Sequence, residues 1–207
     1  MATTKVTVQD QQQGNKNVNM GKWLSEGWRL IFEDIGLYLL VALVYILIIA
    51  ILSGTAIGQF IVLGPLTVGF FYILYRKLHG KETQLGDLGK GFNFFAAAVI
   101  SNILISIFVA IGFALCIIPG FVVLALYMFT PLYIFDKKLD FWQAMEASRK
   151  LVAKHVFEMS IFVLLLSIIS IAGALACVVG LLITTPLCYA AIAYAYKDLV
   201  GFEEEKE

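Results

Sequence analysis

The sequence predicts an all-α integral membrane bundle of about six transmembrane helices in three hairpins, each preceded by an amphipathic helix at the membrane interface. Three observations carry that prediction. Only 14% of the 207 residues are charged and 60% are hydrophobic, against about 25% charged in a soluble domain. The apolar residues gather in runs close to the about 17 to 25 residues of a membrane-spanning helix. The charged residues all fall between those runs, and only on alternate connections.

Residues 1–19, with "QDQQQGNKNVN", contain no apolar core and read as a disordered polar tail rather than a secretory signal. Next, Met20, Trp23, Leu24, Gly27, Trp28, Ile31 and Phe32 keep the i, i+3, i+4, i+7 rhythm of one helical face. Lys22, Glu26, Arg29 and Glu33 occupy the other. An apolar-plus-basic helix of this kind lies in the interface, with tryptophan at headgroup level.

The first span follows at 35–53, where 13 Leu, Ile or Val residues and no charge favour insertion by roughly 4 to 8 kcal/mol. Further apolar runs lie at 59–75, 95–115, 120–135, 159–174 and 177–196. Those at 120–135 and 159–174 are short for a span, so flanking residues are expected to extend them. Leu85, Leu88, Phe92 and Phe95 suggest a second, weaker interfacial helix. "DFWQAMEASRKLVAK" (140–154) gives a third, with Phe141, Met145, Ser148 and Val152 on one face and Asp140 and Gln143 as a capping pair.

The connections at 53–59, 116–120 and 173–180 carry no charge. With six spans, all fifteen Lys and Arg fall on the other side, which the positive-inside rule makes cytoplasmic. Both termini are then inside, and the expected location is the cytoplasmic membrane. The domain reading is a polar tail (1–19), one membrane domain (20–200) and an acidic tail (201–207).

The membrane domain repeats itself. An offset of 121 superposes Pro65 on Pro186, Leu66 on Leu187, Tyr75 on Tyr196, Arg76 on Lys197 and Gly80 on Gly201 without a gap. A middle unit, with Pro119 at its turn and Pro131 further on, fits in outline but not in register. Three units, about 20–82, 83–139 and 140–200, are expected to be related by parallel pseudo-symmetry.

"EGWRL", "IIPGFVVLALYMFTPLYIFD", "AMEASRKLV" and "GLLITTPLCYAAIAYAYKDL" resemble a broad group of uncharacterised prokaryotic polytopic membrane proteins. That group is similar to the membrane domain attached to some glycerophosphodiester phosphodiesterases. The resemblance spans about residues 20 to 200 and implies a polytopic helical fold without a known activity. The phosphodiesterase chemistry belongs to a separate barrel domain and is not carried over.

Sites of chemistry are sparse. No phosphate-binding loop, GxGxxG, GxSxG or HExxH pattern occurs. Cys116, Cys177 and Cys188 sit unclustered in apolar runs and read as packing residues. His155 and Glu158, three apart, form a weak HxxE pair whose simpler reading is an interfacial histidine beside a solvated carboxylate. No cofactor, metal or nucleic-acid partner is expected, and no enzymatic activity.

The prolines at 65, 119, 131 and 186 either pack without consequence or break helices around a ligand. Asn102, the most polar side chain well inside a span, is expected to bond between helices rather than line a path. Lys22, Arg29, Arg149, Lys150 and Lys154 are the candidates for holding lipid headgroups. The leading expectation is a non-enzymatic protein that organises lipid, anionic lipid included, or binds a protein partner or a second copy of itself through its basic face. The alternative is a transporter or channel for a neutral or amphipathic solute. An enzyme acting on lipid comes third.

Overall fold

A computed structural model describes residues 18–52 and 56–203. Of the tails predicted at 1–19 and 201–207, residues 1–17 and 204–207 lie outside the described residues, as do residues 53–55 and the side chains of Ala56, Ile57, Gln59, Phe60 and residues 177–179. The fold is all-α: among the described residues there are nine α-helices, one 3-10 helix and no strand.

Helices α1 (Met20–Glu33) and α2 (Ile35–Leu52) are separated by Asp34 alone. Asn19 begins α1 by accepting the Lys22 N–H at 3.0 Å, a side-chain cap for an otherwise orphan donor. α3 (Ala56–Leu78) returns antiparallel to α2. The 3-10 helix Leu85–Phe94 leads into α4 (Phe95–Leu115), and the single residue Cys116 turns the chain into α5 (Ile117–Tyr127). Then come α6 (Thr130–Asp136), α7 (Phe141–Ala153), α8 (Val156–Leu175) and α9 (Cys177–Leu199). Asp140 caps α7, accepting the Gln143 N–H at 2.8 Å.

Among the described residues, five segments are long and apolar enough to cross a membrane: 35–52, 61–78, 85–115, 117–136 and 156–175. This is a membrane protein. The span expected at 177–196 falls in α9, which has 23 residues, about 34 Å at 1.5 Å per residue, and whose first side chains, at 177–179, lie outside the described residues. The run at 159–174 gains its missing length from Val156 onward, as a short run must if it is to match the bilayer.

Packing is cyclic. The first hairpin arm α4 lies on α3, α8 lies on α5, and α2 lies on α9. The amphipathic segments follow the same rule: the 3-10 helix packs on α3, α7 on α5 and α6, and α1 on α9. Each hairpin thus rests on the second arm of the hairpin before it, and α1 with α2 closes the ring. The second arms fill the centre with Phe70, Phe71, Phe129, Leu132 and Tyr196, all fully buried, while α2, α4 and α8 turn Leu47, Ile107 and Ile168 outward. Outward apolar side chains suit lipid, which offers them the solvent that water would not.

Two elements depart from the sequence-predicted ones. The span expected at 120–135 is broken after Tyr127, and α6 resumes with Pro131 as its second residue. Proline has no N–H to give the residue 127 carbonyl, and its ring crowds that carbonyl. Ser148 of α7 takes over at the break, accepting the Phe129 N–H at 3.3 Å and donating to the Leu126 carbonyl at 2.7 Å.

The segment expected as a second interfacial α-helix is instead the 3-10 helix, wedged against α3. Gly69 and Gly91 make that approach possible, since a Cβ on Gly69 would come within 1.9 Å of the Leu88 carbonyl oxygen. Glycine is required there because backbone meets backbone.

Candidate functional site

The ion pairs gather at one end of the bundle, opposite the uncharged hairpin connections. Lys22 of α1 pairs with Asp198 of α9 at 3.1 Å. Lys77 at the end of α3 pairs with Asp34 at the start of α2. Arg76 lies 3.7 Å from the buried Asp87 and donates to the Glu82 carbonyl at 2.8 Å.

At the centre of that end, Asp136 accepts from the Tyr196 hydroxyl at 2.8 Å and the Glu203 N–H at 2.9 Å. Lys137 bridges the Asp136 and Glu203 carboxylates at 3.3 and 3.1 Å. Tyr75 donates to the Glu203 carbonyl at 2.9 Å, and Phe202 lies among Tyr75, Phe135 and Tyr196. Both main-chain groups of Glu203 are therefore taken, which fixes the chain after α9 across the ends of α3 and α6. A charge buried this far is tolerated because it is paired and bonded.

The two amphipathic helices read alike in sequence but are placed differently. On α1, Trp23 was expected at headgroup level with Trp28, Ile31 and Phe32. Instead Trp23 is 0% exposed, its indole N–H donates to Asp198 at 2.8 Å, and its ring meets Phe162 edge-on at 5.2 Å. Ile31 is buried as well; Trp28 and Phe32, 49% and 46% exposed, carry the outward face. Packing on α9 wins because α1 runs along that helix, with Gly27 against the Ala190–Ala191 backbone. Arg29 stands 3.7 Å from both Glu26 and Glu33.

α7 offers more to a ligand. Trp142 is 59% exposed. Arg149 binds Glu146 through two bonds, 2.9 and 2.8 Å, and Lys150 adds a contact of 3.4 Å. The Arg149 hydrogen bonds hold the Glu146 carboxyl below the usual range, and the same bonds raise the Arg149 guanidinium. Lys154 is exposed at the end of the helix. A cavity of about 240 Å³ lies between α4, α5 and α7, lined by Phe108, Tyr127, Trp142, Met145, Glu146 and Arg149. A second, of about 310 Å³, shares Phe108 and Tyr127 and continues between α4 and α5 to Pro119.

Inside the bundle, Tyr45 bonds Tyr189 at 2.8 Å and Thr67 at 3.2 Å, joining α2, α9 and α3. Thr67 and Tyr189 follow Pro65 and Pro186 by two and three residues; both prolines sit within continuous helices. Asn102 stands half-buried where α4 crosses Gly64 of α3. Pro119 occupies the third residue of α5.

His155 and Glu158 approach to 3.6 Å, but the described residues contain no group of three or more His, Cys, Asp or Glu able to hold a metal. Cys188 is half-buried and contacts Ser170 at 3.4 Å, and Cys116 is exposed at a hairpin end.

Sequence reasoning missed Asp198, Asp136, the Tyr45–Tyr189 pair and the role of Ser148. Their hydrogen-bond partners lie 19 to 176 residues away, and no local spacing signals such pairs. No family model, curated protein or solved structure matches the chain.

Proposed function

We propose that the chain is a non-enzymatic multi-pass protein of the cytoplasmic membrane that organises lipid, anionic lipid above all, through its basic face. The observation that carries this reading is the segregation of charge: the ion pairs lie at one end of three hairpins whose connections at the other end are uncharged. The positive-inside rule puts the charged end, and with it both termini, in the cytoplasm. Basic side chains there attract anionic headgroups with about 1 kcal/mol each.

The reading includes an internal threefold repeat. In its support, α3 and α9 begin and end 121 residues apart, and α2 and α8 begin 121 apart. Gly80, Lys138 and Gly201, each two residues beyond a second arm, share a positive φ. The cyclic packing of the arms supports it too.

A transporter for a neutral or amphipathic solute is the second reading, favoured by the hydroxyls of Tyr45, Thr67 and Tyr189 beside two prolines. The fully buried aromatic residues between the second arms weigh against a path along the centre.

Three experiments test these readings. In a chain lacking its native cysteines, Cys at Thr55 or Ala176 should label from outside and Cys at Gln84 should not; the reverse pattern ends the topology. Changing Arg149, Lys150 and Lys154 together to Gln should abolish a salt-sensitive preference for anionic lipid, since such attraction is screened beyond about 8 Å at physiological ionic strength. Solute flux into liposomes that Pro65 and Pro186 substitutions abolish would replace the first reading by the second.

A further inference from the structure

The three junctions between units are not equivalent. Where α1 meets α9, Gly27 brings the backbones together, and a Cβ there would lie 3.1 Å from the Ala191 nitrogen. Where the 3-10 helix meets α3, Gly69 and Gly91 do the same. Where α7 meets the second arm of the middle unit, that arm is broken, and Ser148 spans the break. The two neighbouring cavities lie beside this break and share Phe108 and Tyr127, the last residue of α5. Their volumes, about 240 and 310 Å³, lie near the lower end of the about 300–1,000 Å³ typical of a ligand pocket.

The two parts differ in chemistry. One end is a mouth with Glu146 and Arg149 beside Trp142; the other is walled by Ile111, Leu115, Pro119, Val123 and Leu126 and carries no polar side chain except shared Tyr127. A polar head on an apolar tail matches that division.

We propose that this groove between α4, α5 and α7 binds one anionic phospholipid, with its phosphate on Arg149 and Lys150 and one acyl chain along Phe108 and Tyr127 into the second cavity. The inference rests on the lipid-organising reading and adds to it a single, shaped site. Charge decides the occupant. Glu146 and Arg149 line the mouth, and Lys150, outside the lining but 3.4 Å from Glu146, brings the local sum to one net positive charge, whereas Arg29 on α1 is flanked by two carboxylates and Lys22 is matched by Asp198. Guanidinium and phosphate pair with two parallel bonds, so Arg149 exchanges Glu146 for phosphate without changing its geometry. The apolar wall adds no hydrophobic gain over bulk lipid, because tails are as apolar as the groove. Selectivity therefore comes from the mouth, and position from the wall.

The test uses the full chain in phosphatidylcholine vesicles containing phosphatidylglycerol, with either lipid brominated in its acyl chain to quench tryptophan. Subtracting a Trp142→Phe variant isolates Trp142 from Trp23 and Trp28. Trp142 should be quenched saturably at low mole fractions of brominated phosphatidylglycerol and only in proportion to bulk by brominated phosphatidylcholine. Arg149→Gln should weaken the saturable component about fivefold, the factor expected for one basic residue near the surface. Val123→Phe, which fills the tail cavity without touching a charge, should remove it while the protein keeps its overall preference for anionic lipid.

Equal quenching by both lipids in the unmodified chain overturns the site, and stronger quenching by phosphatidylcholine overturns the anionic assignment; neither needs a folded variant. Displacement by inorganic phosphate would also overturn the lipid assignment. If the site fails while the Arg149, Lys150 and Lys154 triple change still abolishes anionic preference, the broader reading stands; if both measurements fail, both fall.

Discussion

α1 on α9 and α7 on the α5–α6 arm are comparable packings, each an amphipathic helix laid against an apolar arm, and they differ at one point. α9 runs unbroken through Pro186, while the α5–α6 arm stops before Pro131. A proline costs a helix about 3 kcal/mol or more in its interior, yet Pro65 and Pro186 stay inside helices. What distinguishes Pro131 is a neighbour: Ser148 satisfies one donor and one acceptor at the break. Gly27 faces α9, where α7 has Ser148 at the corresponding turn of its helix, 121 residues from Gly27. Proline permits a break, and the partner helix decides whether it happens.

The largest expected effect comes from forcing the closed junction open. Gly27→Leu places a branched side chain where a Cβ already stands 3.1 Å from the Ala191 nitrogen and 3.4 Å from Ala190. Overpacking of this kind costs about 3 kcal/mol. Thermal unfolding in detergent should fall accordingly, whereas Gly36→Leu, with nothing within 4 Å, should leave it nearly unchanged. An equally stable Gly27→Leu protein would mean that α1 does not depend on this approach.

Ser148→Ala attacks the open junction. It leaves the buried Phe129 N–H and the Leu126 carbonyl without the hydroxyl, at a cost of about 1–2 kcal/mol, again measured by unfolding in detergent. Ser148→Thr, which keeps the hydroxyl, should recover most of the loss. If Ala and Ser are equivalent, the break belongs to Pro131 alone and the comparison fails.

How much of this was legible follows from the range of each interaction. The span predicted at 95–115 coincides with α4, and that at 35–53 matches α2 as far as the described residues run, because lipid-facing helices need only be apolar along their own length. The broken arm was not legible, since Pro131 looks like Pro65 and Pro186 until Ser148 is placed beside it. The 3-10 helix was hidden for a related reason. Leu85, Leu88, Phe92 and Phe95 suit an α-helix locally, but Gly69 and Gly91 draw the segment onto α3 and its backbone tightens. At the candidate site, Arg149 and Lys150 were named from the sequence, whereas Phe108 and Tyr127 came together only through the fold.

The smallest expected effect separates the two exposed faces by pH. On α7 the Arg149 hydrogen bonds, followed by its charge, lower the Glu146 pKa below its ordinary 4.5. A carboxyl lowered in the folded state binds its proton less readily there than in the unfolded chain. Its stabilising contribution is therefore complete above the ordinary value and is lost as pH falls below 4.5 through the lowered folded value. The pair is solvent-exposed, so the effect is small and screened by salt. Far-ultraviolet circular dichroism between pH 5 and pH 2 should show about one helical turn loosening near 146–149, with a midpoint that Glu146→Gln removes. That variant should also leave Arg149 without its carboxylate at every pH and so strengthen the binding of anionic lipid at pH 7. A Glu146→Gln protein with weaker lipid binding would show that the carboxylate positions Arg149 rather than competing for it, and the exchange of carboxylate for phosphate at the mouth would be wrong.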